Sequence, residues 1–143
     1  MISICIPIYN FNVVSLIDTI HNQGEKSNKP FEIICIDDGS NKETLNLNYK
    51  ISSHKSVIYR ILKNNIGRSK IRNLFIENAN YENLLFIDCD CSIQSENFLE
   101  KYFEQVDNEV VYGGRKHHEN PPKNKNKKLR WLYGIKKEDQ NLN

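Results

Sequence analysis

The chain has 143 residues, 38% of them hydrophobic, and a formal net charge of +2, which suits one domain with a single core. No run approaches the ~18 apolar residues of a membrane span, and Met1 leads straight into Ile2-Ser3-Ile4-Cys5-Ile6-Pro7-Ile8 without the charged start of a signal peptide. Cys5, Cys35, Cys89 and Cys91 include no Cys-x-x-Cys pair, which argues against zinc or disulfide scaffolding and for a cytoplasmic chain with reduced, packed thiols. The charge is uneven. Residues 115–137 hold nine Lys/Arg and one acid, Glu119, a pattern that suits either a solvated basic loop or a segment meeting phosphate, nucleic acid or a lipid surface.

Taken in order, residues 2–8 read as a strand, apolar at nearly every position. Asn12 is placed to cap a helix over 13–23, whose inner side is Val13, Leu16, Ile17 and Ile20. Gly24 is expected to stop it, with a polar loop to Pro30. Phe31–Asp37 reads as a second buried strand, followed by an acidic turn at Asp37-Asp38-Gly39-Ser40 and a short helix over 41–50 with Leu45 and Tyr49 on one face. Residues 57–62 form a third strand, and Asn64-Asn65-Ile66-Gly67 turns into a helix over 68–79 facing inward through Ile71, Leu74 and Phe75.

Leu84-Leu85-Phe86-Ile87 reads as a strand buried on both faces that runs into Asp88-Cys89-Asp90. Ser95 is placed to cap a helix through 106, and Val110-Val111-Tyr112 reads as a fifth strand ending at Gly113-Gly114. Beyond it, 115–128 reads as a Lys/Asn-rich loop, and Leu129–Ile135 as a helical turn. Strand and helix alternate throughout. The reading is α/β, a mostly parallel, doubly wound sheet of about five strands. Its two parts are a domain over 1–115 and a basic segment over 116–143.

In such a sheet, ligands bind beyond the carboxyl ends of the strands. Three strand ends bring Pro7-Ile8-Tyr9-Asn10, Asp37-Asp38 and Asp88-Cys89-Asp90 to that edge, and the helix after Gly67 adds Arg68, Arg72 and Asn73. Acids beside arginines suit a nucleoside diphosphate with a bound cation better than a bare anion. Neither a Gly-x-Gly-x-x-Gly nor a Walker lysine loop is present.

Four motifs in order carry a resemblance: Ile4–Asn10, Glu32–Ser40, Asn65–Asn73 and Phe86–Asp90. Together they resemble the donor half of a family 2 glycosyltransferase, and Val111–Arg115 with Leu129–Gly134 are similar to the segment that follows in bacterial members. The resemblance implies an A-type glycosyltransferase fold that binds a nucleotide-sugar, usually a UDP-sugar, and transfers the sugar with inversion to a saccharide or lipid-linked acceptor. It implies Pro7 and Tyr9 at the base pocket, Asp38 accepting from the base, and Arg72 at the base or phosphates. Asp88 then faces ribose and, with Asp90, a Mn²⁺ or Mg²⁺ on the diphosphate. It further implies polysaccharide or glycolipid synthesis without a nucleic-acid partner, and a general base beyond Asn143, so that the chain is a fragment or is completed by a partner. Independently of the resemblance, the basic charge of 115–137 leads us to expect peripheral membrane contact, and apolar surface left by a truncated sheet leads us to expect self-association.

Plainer roles stand beside these. Pro7 can simply end a strand, Asp37 can serve as a turn acid, and Arg72 can pair on the surface with Asp88 or Glu77. Cys89 can pack, while His117 and His118 can be solvent-exposed and Glu138-Asp139 unaimed. Trp131 and Tyr133 can pack locally or stack on a sugar ring. Two other readings share the residues: a non-catalytic nucleotide-binding module, and a haloacid-dehalogenase-like phosphohydrolase built on Asp88-Cys89-Asp90-Cys91-Ser92, whose motif would ordinarily end the first strand.

Overall fold

The computed structural model describes residues 1–106, 109–111, 113, 116–117 and 120–139. The chain divides into two compact units, Met1–Asp107 and Asn108–Asn143. In the first, β1 (Ile2–Ile8), β2 (Phe31–Asp37), β3 (Val57–Ile61) and β4 (Leu84–Phe86) lie parallel in the order β3-β2-β1-β4. Ile8 pairs with Asp37 and Cys5 with Phe86, so β1 lies directly between β2 and β4, the two strands whose carboxyl ends lead into aspartates.

Alternation along the strands builds a core on each face. Ile2, Ile4, Ile6 and Ile8 of β1, with Ile33 and Cys35 of β2, pack with Leu16, Ile17 and Ile20 of α1 (Val14–Ser27) and Leu99 and Phe103 of α4 (Phe98–Phe103). Cys5, Ile34 and Ile36 meet Ile71 and Phe75 of α3 (Arg68–Asn78) on the other face. Each buried isoleucine contributes about 1.5–3 kcal/mol relative to an exposed one. The sheet is therefore covered on both sides, as its doubly wound reading requires.

Several local expectations are corrected. Gly24 does not stop α1; it is buried inside the helix, where a Cβ would collide with the Phe31 ring, and the stop comes at Asn28 in the left-handed region (φ 52°). Asn12 does accept from Val14 N–H at 3.0 Å. In α2 (Lys42–Asn48) the buried positions are Thr44 and Asn48, while Tyr49 is exposed. Asn48 is drawn inward because its side chain bridges Val13 N–H and Phe11 C=O.

β4 is shorter than expected and is an edge strand among the described residues; Phe86 is 41% exposed. The helix expected from Ser95 is confined to α4, and Gln23 of α1 takes the capping role by accepting from Leu99 N–H at 3.0 Å. Four strands are seen among the described residues rather than five. Val110 and Val111 are not in a strand, and Tyr112 lies outside the described residues.

The turn into β4 is anchored by a buried acid. Glu32 accepts from Ser3 Oγ (2.6 Å), Asn80 N–H (2.7 Å) and Asn80 Nδ2 (2.7 Å). In the second unit, a 3₁₀ turn (Lys125–Lys127), α5 (Lys128–Tyr133) and a π turn (Gly134–Glu138) form one helical run. It confirms the expected helical turn and extends it.

Candidate functional site

The strand order places the site. The chain moves from β1 outward through β2 to β3, then returns to the other side of β1 for β4. That reversal opens a crevice between the carboxyl ends of β1 and β4, where parallel α/β sheets bind ligands. A cavity of about 520 Å³ lies there, within the usual range for small-molecule sites.

Its walls are fixed by side chain to backbone hydrogen bonds. Asn10, in the left-handed region (φ 49°), donates from its backbone to Ser40 Oγ (2.8 Å) and accepts from Asn41 N–H (2.9 Å), tying the β1 loop to the β2 loop. Asp37 is fully buried and accepts from Ser40 N–H (2.7 Å) and Tyr59 Oη (3.2 Å). Burial first, then the Asp37 charge, pushes the Tyr59 phenol up. Asp37 therefore holds a turn and does not line the cavity, as the plainer reading had it.

Asp38, one residue on, lines the cavity although only 4% exposed. Its Oδ1 accepts from Ile66 N–H (2.7 Å) and its Oδ2 from Gly67 N–H (3.0 Å). This fixes the loop that starts α3, with Gly67 at φ 88°. Arg68 and Arg72, four apart on α3, share a face and reach the cavity. Arg72 Nη2 lies 2.9 Å from Asp88 Oδ1, with both side chains about half exposed.

Of the residues expected from sequence, Pro7, Tyr9, Asp38, Arg68, Arg72, Asp88 and Asp90 all border this cavity; Asn73 does not. Cys89 also borders it, and burial, followed by smaller effects of Asp90 and Asp88, raises its thiol. Phe11, Asn65 and Ile71 were not anticipated there. The turn Asn64–Gly67 could have pointed to Asn65, whereas Phe11 gave no signal. Among the described residues, no three His, Cys, Asp or Glu side chains are arranged to hold a metal. Asp88 and Asp90 offer hard oxygens that fit Mg²⁺ or Mn²⁺ only in the usual shared manner, with one or two carboxylates and the rest from phosphate and water.

The second unit corrects two expectations. The His117 side chain is 18% exposed rather than solvated, with Nδ1 2.7 Å from Asp139 Oδ1 and Nε2 3.5 Å from Glu138 Oε2. Arg130 Nη1 lies 3.1 Å from Glu138 Oε1. Glu138 and Asp139 are thus held, and hydrogen bonding to His117 lowers the Asp139 carboxyl below its ordinary range. His118 lies outside the described residues.

The sequence profile of glycosyl transferase family 2 matches residues 3–143. The chain belongs to glycosyl transferase family 2. Among family members, it is 35% identical over 105 residues to the poly(ribitol-phosphate) beta-glucosyltransferase of Bacillus spizizenii, covering 71% of this chain and 16% of that protein. It is 30% identical over 117 residues to the chondroitin synthase of Pasteurella multocida, covering 79% of this chain and 12% of that one. The chain thus spans less than a fifth of either relative's length. The structure of S. aureus TarS 1-349 in complex with UDP superposes at a TM-score of 0.61 with 26% identity, covering 74% of this chain and 32% of that one. A mannosyltransferase from Pyrobaculum calidifontis, in complex with GDP-Man and Mn²⁺, shares the glycosyltransferase fold at 16% identity and a TM-score of 0.61, covering 84% of this chain and 36% of that one.

Proposed function

We propose that this family 2 chain binds a UDP-sugar in the cavity between β1 and β4, as the donor site of an enzyme of bacterial polysaccharide synthesis. One observation carries the reading: Asp38, Arg68, Arg72, Asp88 and Asp90 from three separate sequence segments surround one cavity of about 520 Å³. TarS, with the same fold, has been captured with UDP and with UDP-GlcNAc. The walls near Pro7, Tyr9 and Asp38 suit the base, Asp88 the ribose, and Arg68 and Arg72 the diphosphate.

Asp90, assisted by Asp88, is the place for a Mn²⁺ or Mg²⁺. Such an ion, when bound, stabilises negative charge on the departing diphosphate. Arg72 exchanges Asp88 for phosphate at small cost, because a half-exposed ion pair contributes only about 0–1 kcal/mol. Transfer then follows in one displacement. The acceptor oxygen attacks the anomeric carbon opposite the diphosphate, the carbon–phosphate-oxygen bond breaks with its electron pair on the diphosphate, and a base takes the acceptor proton. Configuration inverts. No residue of this chain is assigned as that base, and the cytoplasm, where nucleotide-sugars are made, is its proposed location.

The test is calorimetry of UDP, GDP, ADP and CDP with and without Mn²⁺. Tight, metal-dependent binding of UDP, lost in Asp90→Ala, is expected. Equal affinity for all four nucleotides without metal would sink the reading.

A further inference from the structure

The outer side of the second unit carries a feature that donor binding does not use. Within the helical run Lys125–Glu138, Gly134 is buried and Trp131 half-buried, and a Cβ on Gly134 would collide with the His117 ring. These positions, with Asp139 gripped by His117, define the inner side. On the outer side, Leu129 is 79% exposed, Tyr133 54% and Leu132 40%. Positions 129, 132 and 133 share one helical face. Lys125 lies one turn before Leu129, Lys128 one turn before Leu132, and Lys136 one turn after Leu132; all three are exposed, as is Lys123.

Burying three large apolar side chains while keeping lysines beside them demands a partner that is apolar and anionic at once. The boundary between lipid headgroups and acyl chains has that profile. A polyanionic chain in water would satisfy the lysines but leave Leu129 wet. The run is also too short and too charged to cross a bilayer, and no helix among the described residues is long and apolar enough to do so. Its one acid, Glu138, and Asp139 just after it are turned to Arg130 and His117, so they do not offset the outer lysines.

We propose that this face docks the chain on an anionic membrane surface, with Leu129, Leu132 and Tyr133 entering the interface and Lys123, Lys125, Lys128 and Lys136 meeting lipid phosphates. The experiment is co-sedimentation of the full chain with vesicles of equal parts phosphatidylglycerol and phosphatidylcholine, against phosphatidylcholine alone. Binding to the anionic vesicles is expected, weakening with added salt, and at least about tenfold weaker to the neutral ones. Leu129→Glu and the double variant Lys125→Glu/Lys128→Glu should each weaken it about tenfold or more, with circular dichroism unchanged. The surface positions of the double variant keep the test open should Leu129→Glu misfold. Absence of binding to either vesicle, or equal binding to both, overturns the proposal. So does binding of soluble polyphosphate that Leu129→Glu leaves intact while vesicle binding is absent. A concentration-dependent dimer abolished by Leu129→Glu, again without vesicle binding, would assign the face to a second copy instead.

Discussion

Replacing Asp38 by Asn removes one carboxylate oxygen and puts an amide N–H₂ where the oxygen accepted. One of the two backbone donors, Ile66 N–H or Gly67 N–H, then faces another donor at a site that is 4% exposed. A hydrogen bond to a charged group is worth about 1.5–3 kcal/mol, and a stranded buried donor costs about 1–3 kcal/mol. The two describe overlapping parts of one loss, so Asp38→Asn should destabilise by about 2–3 kcal/mol. That is a large share of the roughly 5–15 kcal/mol that holds a domain. Urea denaturation should show the midpoint falling by roughly 1–2 M. Hydrogen exchange should show the Ile66 and Gly67 amides losing protection, and UDP affinity should fall because the cavity wall loosens. A variant of unchanged stability and protection that nonetheless loses UDP would refute this argument. Asp38 would then act by contacting the nucleotide and not by building the loop.

Gly39 sits at φ +75°, where a Cβ would lie 3.0 Å from the backbone of Asn64 and Asn65. Gly39→Ala should therefore cost about 1–2 kcal/mol, read as a drop of several degrees in thermal melts. Arg72→Ala breaks a pair that is about half exposed, so stability should move by less than about 1 kcal/mol. Nucleotide affinity should nevertheless fall roughly tenfold to a hundredfold by calorimetry if Arg72 meets phosphate. Hydrogen bonding to His117 depresses the Asp139 carboxyl below its ordinary 3.8. The unfolded chain thus takes up this proton first as pH falls, and the contribution, complete above about pH 5, is lost on acidification through the lowered value. Acid titration of Trp131 fluorescence should show this loss below pH 4, and His117→Ala, which removes the ring but keeps the backbone N–H of residue 117 on Asp139, should shrink it.

Much of the architecture was legible because its causes are local. The apolar runs at 2–8 and 31–37 and the helical spacing of Leu16, Ile17 and Ile20 depend on near neighbours, and the structure bears them out. That these residues would gather was legible for a related reason: in alternating α/β sequence, polar residues just after strands collect at one edge, and Pro7, Tyr9, Asp38, Arg72, Asp88 and Asp90 do border one cavity. Gly24 misled because a helix stop and a close-packed helical glycine look alike until Phe31 is in place. Leu84–Ile87 misled because an apolar run gives hydrophobicity, not position in the sheet, and β4 lies at its edge among the described residues.

The sequence by itself determined which segments become strand or helix and which acids stand at the strand ends. The tertiary structure alone decided that β4 returns beside β1, opening the crevice there, since pairing between residues some eighty positions apart leaves no local trace. It also separated two neighbours that composition cannot distinguish. Asp37 is enclosed by Ser40 and Tyr59, whereas Asp38 turns to Ile66, Gly67 and the cavity. Successive residues diverge as the chain leaves a strand, and which donors each carboxylate meets depends on segments that only folding brings near.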